Sequence, residues 1–192
     1  MMYEMQENLL REALLLQQTE LKKRLTDRYI ERDINIKDAS ADLIRAILGP
    51  RRAGKSFFAI HLLAEKNFGY ANFDDEKLIQ ANNYDDIVNI IDELYDNPKY
   101  LLLDEIQNLE KWELFVNRLQ RQGRFVVVTG SNSHLLSKEL ATHLTGRHLS
   151  TPVFPFSFRE FLKLENRKLT ESEMKTKLNS YLVQGGYPEP LV

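Results

Sequence analysis

The sequence predicts an α/β sandwich of three layers, in which helices cover both faces of a mainly parallel, five-stranded sheet. One helix precedes this core and further helices follow it. Three observations carry the prediction. Short apolar segments alternate along the chain with helical patterns of about 10–15 residues, the order that parallel βαβ units impose. The strand segments are continuously apolar, as in "YLLL" and "FVVV", which marks strands buried on both faces. Several of them end in carboxylates or in Gly, Ser and Asn, the groups that gather ligands at the C-terminal edge of an open sheet.

The elements follow in order. Leu10, Leu14, Leu21 and Leu25 recur at helical spacing, so residues 5–28 read as an amphipathic helix that either packs on the core or forms a seam with a partner. "DLIRAIL" reads as a buried strand and "KSFFAIHLLAEKNF" as the helix after it. "YANFDD" is the second strand, ending in Asp74 and Asp75, which either touch a metal or cap the next segment. Ile87, Ile90, Ile91 and Leu94 mark a helix capped by Asp85 or Asp86. Pro98 breaks the chain before "KYLLLDE", the third strand. Trp112, Phe115, Val116 and Leu119 form the apolar stripe of another helix, stopped at Gly123, with Trp112 expected in the core. "RFVVVTGSNS" and "RHLSTPVFPF" are the fourth and fifth strands, with "SHLLSKELATHL" a helix between them. "SFREFLKLENR" and "SEMKTKLNSYLVQ" close the chain as helices, the second ended by Gly185 and Gly186. Phe154, Phe156, Phe158 and Phe161 are expected to close the core beside the last strand.

Composition excludes several classes of function. The formal net charge is −2, so no global basic field points to nucleic acid. The chain has no cysteine, which rules out disulfides and thiolate metal sites and fits a reducing compartment. The four histidines lack zinc-ligand spacing. Charged residues interrupt the N-terminal apolar stretch, so it reads as no signal peptide, and no apolar run approaches the ~20 residues of a membrane span. The expected location is cytoplasmic.

The chemistry is concentrated in "GPRRAGKS". Gly49, Pro50, Arg51, Arg52, Ala53, Gly54, Lys55 and Ser56 fit G-x-x-x-x-G-K-[ST], with Phe57 following. Chains of this composition carry the pattern by accident in roughly two of a thousand cases. Its glycines let successive N–H groups converge on a phosphate, and the helix behind presents its positive end to the same anion. Lys55 would reach the β- and γ-phosphates of ATP, and the Ser56 hydroxyl would bind Mg²⁺. Such a loop demands a metal carboxylate and a base for water. "LLLDE" supplies both at the end of a buried strand: Asp104 for the metal and Glu105 to polarise the attacking water. Neighbouring strand residues point to opposite sides, so the two can divide these roles. "TGSNS" adds Asn132, with Ser131 as the alternative, to contact the γ-phosphate or orient the water. Arg51 and Arg52 are further local cations, facing phosphate, partner or solvent. Tyr29 and Arg32 are either simply packed or border the adenine.

The motifs "GPRRAGKS", "YANFDD", "LLLDEIQN", "VVVTGSNS", "LTGRH", "PFSFREFL" and "GGYPEP", in this order, resemble the AAA+-like P-loop ATPases of the archaeal-ATPase type. The last three form the more specific part of the signature, and the resemblance runs from about Tyr29 to Glu189. It implies a P-loop NTPase core whose sensor strand lies between the loop strand and the carboxylate strand. It also implies that Arg147 stabilises transition-state charge, from its own subunit or a neighbour's; otherwise Arg147 is a surface residue at a helix end. Family members commonly continue into a second, C-terminal domain. This chain stops just after "GGYPEP", so that domain is expected to be absent, through truncation or natural shortness.

The expected organisation is a helix over 1–28, an ATPase core over 29–160 and a helical segment over 161–192. The expected function is Mg²⁺-dependent ATP hydrolysis coupled to a conformational change in a partner or a C-terminal domain. The alternative is an ATP-dependent switch or scaffold with negligible turnover. A small-molecule kinase ranks third, because no arginine-rich lid is evident between Ser133 and Leu149 and Glu105 suits water as acceptor. Adenine over guanine rests on the resemblance, as does nucleic acid as a partner, which the charge balance leaves unsupported. A protein partner or self-assembly is expected, and no membrane.

Overall fold

Continuous apolar strands need cover on both faces, and the chain provides it. The computed structural model describes residues 2–34, 36, 43–131, 148–165 and 167–188. Strands β1 (Ile44–Leu48), β2 (Phe68–Asn72), β3 (Tyr100–Asp104), β4 (Phe125–Gly130) and β5 (His148–Pro152) form one sheet in the order β2-β3-β4-β1-β5. Every pairing is parallel. β4 thus lies between the strand that enters the glycine loop and the strand that ends in Asp104, the placement the resemblance implied.

Helices α1 (Met2–Thr26), α2 (Lys55–Leu62), α3 (Glu76–Ile79), α4 (Tyr84–Leu94), α5 (Trp112–Arg121), α6 (Phe158–Leu162) and α7 (Glu171–Gln184) flank the sheet. The layering follows from strand alternation. Leu101, Leu103, Val126 and Val128 pack with Ile87, Ile91 and Phe115 on one face. Leu102, Val127 and Ile47 pack with Phe58, Ile60 and Leu63 on the other. A third, smaller cluster joins Ile30, Phe156 and Phe161.

α1 takes part in both large clusters. Leu10 and Leu14 enter the first and Leu21 the second, so the helix runs past the edge strand β2 from one face to the other. Burying each of these leucines contributes about 1.5–3 kcal/mol. Gln17, between them, does what a neighbouring strand would do. Its amide nitrogen donates to the Asn72 carbonyl at 3.1 Å, and its amide oxygen accepts from the Asn72 N–H at 2.8 Å. The exposed edge is thereby closed at that position.

Some local expectations differ from what the chain does. α4 is capped by Asn83, whose backbone is extended and whose side chain accepts from the Asp85 N–H, while Asp85 and Asp86 sit in the first turn. Asp75, for its part, caps α3 through the Lys77 N–H. Phe154 is 63% exposed, whereas Phe156 and Phe161 are buried. In the extended segment after β5, Val153 and Phe156 turn inward and Phe154 turns out. The helix expected over "SHLLSKELATHL" lies outside the described residues. No helix among the described residues is long and apolar enough to cross a membrane.

Candidate functional site

The C-terminal ends of β1, β3 and β4 face the start of α2, and the glycine loop bridges β1 to that helix. Gly49 has no room for a side chain, because an added Cβ would lie 1.9 Å from the Val153 carbonyl oxygen. Gly54 precedes α2 with φ 85°, a left-handed conformation that glycine alone adopts without strain. Between them, the Ala53 N–H donates to the Pro50 carbonyl at 3.3 Å and curls the loop. Arg51 and Arg52 are both exposed, and Arg52 takes a left-handed φ of 63°.

Lys55 is 4% exposed, and its ammonium donates to the Pro50 carbonyl at 3.0 Å. Glu105 Oε1 lies 3.9 Å away. Burial pushes the Lys55 ammonium down from its usual value, and the carboxylates of Glu105 and Asp104 oppose that fall. The chain therefore holds a cation that gains from a further anion.

Asp104 is the complementary case, a carboxylate 1% exposed. Ser56 Oγ donates to its Oδ1 at 2.8 Å, Thr129 Oγ1 donates to the same oxygen, and the Tyr70 hydroxyl donates to Oδ2 at 3.1 Å. Burial pushes its carboxyl up, and the hydroxyls of Thr129, Ser56 and Tyr70 reduce that rise without cancelling it. A divalent cation here would favour the ionised form. Ser56 and Asp104 offer adjacent hard oxygens, the donor type Mg²⁺ takes. Among the described residues no group of three or more His, Cys, Asp or Glu could hold a metal.

Glu105 departs from the strand with φ 51°, in the left-handed region. That conformation costs a non-glycine residue about 1–2 kcal/mol. Its N–H donates to Thr129 Oγ1 at 3.0 Å, so Thr129 ties both acidic residues to β4. Its Oε2 accepts from Gln107 Nε2 at 2.6 Å and from the Ser131 N–H at 3.1 Å. Asp74 stands nearby, accepting from Asn108 Nδ2 at 2.9 Å.

Two cavities flank the loop. The smaller, about 270 Å³, is lined by Arg24, Arg52, Lys55, Ser56 and Glu105 among others. The larger, about 430 Å³, is lined by Tyr29, Ile30, Arg32, Phe57 and Phe156 among others. Gly54, Phe57 and Pro188 line both. Tyr29 stacks on His61 of α2, with ring centroids 4.1 Å apart and planes within 11°. Arg32 is committed elsewhere. Its Nε donates to Glu160 Oε1 at 2.9 Å, its Nη1 to the Ala53 carbonyl at 3.0 Å, and its Nη2 to the Phe154 carbonyl.

The structure thus brings Lys55, Ser56, Asp104 and Glu105 into one cluster and puts Arg52 on its cavity. Asn132 and Arg147 lie outside the described residues. Sequence reasoning missed Tyr70, Thr129, Gln107 and Arg24. Thr129 carried a signal, as the one polar residue in "VVVTG"; the other three carried none by spacing.

A family described as AAA domain matches residues 41–162. An uncharacterized protein of Methanocaldococcus jannaschii is 37% identical over 190 residues, spanning 93% of this chain and 42% of that protein. An uncharacterized protein of Haemophilus influenzae is 35% identical over 175 residues, spanning 84% of this chain and 43% of that protein. The chain spans less than half the length of both relatives. Among solved structures, a Walker-type ATPase of Pyrococcus abyssi is similar over 76% of this chain and 59% of its own, with a TM-score of 0.49 and 16% identity.

Proposed function

The chain belongs to the AAA domain family, as a P-loop protein of the archaeal-ATPase type, and we propose that it hydrolyses ATP with Mg²⁺. ATP binding comes with the family. The observation that carries the finer reading is the Ser56–Asp104 hydrogen bond at 2.8 Å, with Lys55 and Glu105 facing each other at 3.9 Å beside it.

In this reading the loop from Gly49 to Phe57 wraps the phosphates with its N–H groups, and Lys55 exchanges the Pro50 carbonyl for the β- and γ-phosphate oxygens. Ser56 and Asp104 would hold Mg²⁺, which would neutralise charge developing on those oxygens. Glu105 orients a water and accepts its proton as the water oxygen attacks the terminal phosphorus. The bridging oxygen leaves with ADP. Thr129 fixes both carboxylates relative to the loop strand. Asn132 and Arg147 complete the reading as the γ-phosphate contact and the charge-stabilising arginine. The adenine goes to the larger cavity, where Phe57 and Tyr29 supply apolar walls. Turnover drives a conformational change in a partner or in a C-terminal domain.

One observation favours a slower alternative, a switch with negligible turnover. Glu105 Oε2 is already engaged by Gln107 and by the Ser131 N–H, which leaves Oε1, 3.9 Å from the Lys55 ammonium, as the oxygen to meet water, and a carboxylate held and paired in this way is a weaker base.

The test is Mg²⁺-dependent ATP hydrolysis per chain over a wide range of protein concentration, beside nucleotide titrations. Lys55→Ala is expected to abolish binding, while Glu105→Gln keeps binding and loses turnover. A specific rate that climbs with concentration assigns the charge-stabilising arginine to a neighbouring subunit. Binding with the same low rate in wild type and Glu105→Gln selects the switch.

A further inference from the structure

We propose that Arg24, near the end of α1, is a phosphate-binding cation acting within its own chain, and that it contacts the terminal phosphate of the bound nucleotide. The proposal rests on the reading of the smaller cavity as a triphosphate site. It makes the N-terminal helix part of that site rather than a brace behind it.

Arg24 lines the smaller cavity with Arg52, Lys55, Ser56 and Glu105. Among its described lining residues, Arg24 and Lys55 set two cationic groups beside the Ser56 hydroxyl, a lining whose chemistry suits a phosphate oxygen. The guanidinium also stands at a definite end of that space. Its Nη1 donates to the Tyr70 hydroxyl oxygen at 3.4 Å, and Tyr70 in turn donates to Asp104 Oδ2 at 3.1 Å. Arg24 is therefore one hydroxyl removed from the carboxylate that also receives Ser56. Glu105, read as polarising the water that attacks the terminal phosphorus, lines the same cavity, so Arg24 approaches the γ-phosphate, the part of ATP that ADP lacks.

Its position is held rather than incidental. Gln17 precedes Arg24 by about two helical turns, which places both on the same face of α1. Gln17 grips both the N–H and the carbonyl of Asn72 at the sheet edge, while Arg24 reaches the hydroxyl of Tyr70, two positions earlier on β2. Leu21 packs the helix between these points against Phe58 and Ile60 of α2. Just beyond the helix, Tyr29 stacks on His61 of α2. The helix end thus moves with the loop's own helix.

Among the described residues Arg24 makes no ion pair, and the bond to a neutral phenol at 3.4 Å is long. A phosphate oxygen is the stronger acceptor, and a charge-assisted bond would draw the guanidinium from Tyr70 into the cavity. This assigns to α1 a sensing role: its end is pulled when the terminal phosphate is present and released when it leaves.

The experiment compares ATP and ADP, each with Mg²⁺, by calorimetric titration of wild type, Arg24→Ala, Arg24→Lys and Lys55→Ala. Melting curves without nucleotide check folding. The expected result is that Arg24→Ala weakens ATP by about tenfold or more and ADP by no more than about threefold. Arg24→Lys should recover much of the difference, since it keeps the charge and loses only the planar fork. Should Arg24→Ala fold poorly, Arg24→Gln carries the comparison with nearly the same stem. Equal weakening of ATP and ADP, or no weakening of ATP, overturns the proposal. If Lys55→Ala still abolishes binding in that case, the ATP site stands and only the role of Arg24 falls. If wild type binds neither nucleotide, both fall together.

Discussion

Arg32 and Glu160 are 128 residues apart in the chain and form a buried ion pair at 2.9 Å, behind the phosphate loop. Glu160 is held on its other side by the capping box of α6, accepting from the N–H and hydroxyl of Ser157. Arg32 passes the contact on to the Ala53 carbonyl within the loop. The segment "PFSFREF" is thereby a structural support for the glycine loop, reached through one arginine. Removing one member of such a pair leaves the other charge buried and unmatched, which costs about 3–5 kcal/mol. Glu160→Ala is therefore expected to lose stability of that order in urea denaturation. It should also weaken nucleotide binding, because the Ala53 carbonyl is left facing an unanchored guanidinium.

The same pair predicts an acid limb. Burial pushes the Glu160 carboxyl up, but the N–H groups of Ser157 and Asp33 and the Arg32 guanidinium outweigh it, and the folded value lies below the usual range. A group depressed in the folded state contributes stability that is present above its unfolded value, about 4.3, and is lost as pH falls through the folded value. Wild type should lose stability more steeply below about pH 4 than Glu160→Gln, whose side chain does not titrate. Parallel acid limbs in the two proteins would place the titration elsewhere.

The loop and the acidic strand end were readable because their chemistry is written in consecutive residues. "GPRRAGKS" and "LLLDE" need no tertiary information to be recognised, and the apolar runs around them announce a parallel sheet. What the sequence hid is the set of residues that reach the site across the fold. Tyr70 meets Asp104 over a separation of 34 residues and Thr129 over 25, through strand register rather than spacing. Tyr70 and Thr129 read locally as ordinary strand residues, and Gln17 as a polar position on a helix. Only the order β2-β3-β4-β1-β5 turns Tyr70 and Thr129 into neighbours of Asp104. The Asp85 or Asp86 cap failed for a local reason. "NNYDD" offers several good capping side chains in a row, and only the backbone decides that Asn83 is the extended one.

Thr129 makes one bond to each acidic residue, accepting from the Glu105 N–H at 3.0 Å and donating to Asp104 Oδ1. Thr129→Val keeps the shape of the side chain and deletes both bonds. Leaving a buried N–H and a buried carboxylate oxygen short of a partner costs about 1–3 kcal/mol. The larger effect is expected on chemistry: ATP affinity stays within about threefold, because the loop is untouched, while turnover falls by about tenfold or more as Glu105 loses its anchor. Single-turnover hydrolysis beside an equilibrium titration separates the two. A variant that loses affinity and keeps turnover would contradict this division.

Gly186 is the point where the chain returns to the site. The Phe156 N–H donates to the Gly186 carbonyl at 2.6 Å, and a Cβ on Gly186 would lie 2.1 Å from the Phe156 carbonyl oxygen. Both atoms belong to backbone, so neither can swing aside. Gly186→Ala must separate the two segments, at about 1–3 kcal/mol. Pro188, two residues on, lines both cavities and would move with it. The neighbouring Gly185 provides the control: it has φ 79° and open space around it, so Gly185→Ala adds backbone strain of about 1–3 kcal/mol without a collision. Melting curves should therefore show both variants destabilised. Nucleotide titration should show a severalfold loss of affinity for Gly186→Ala only. Equal affinity in the two variants would mean that Pro188 borders the cavities without shaping what they bind.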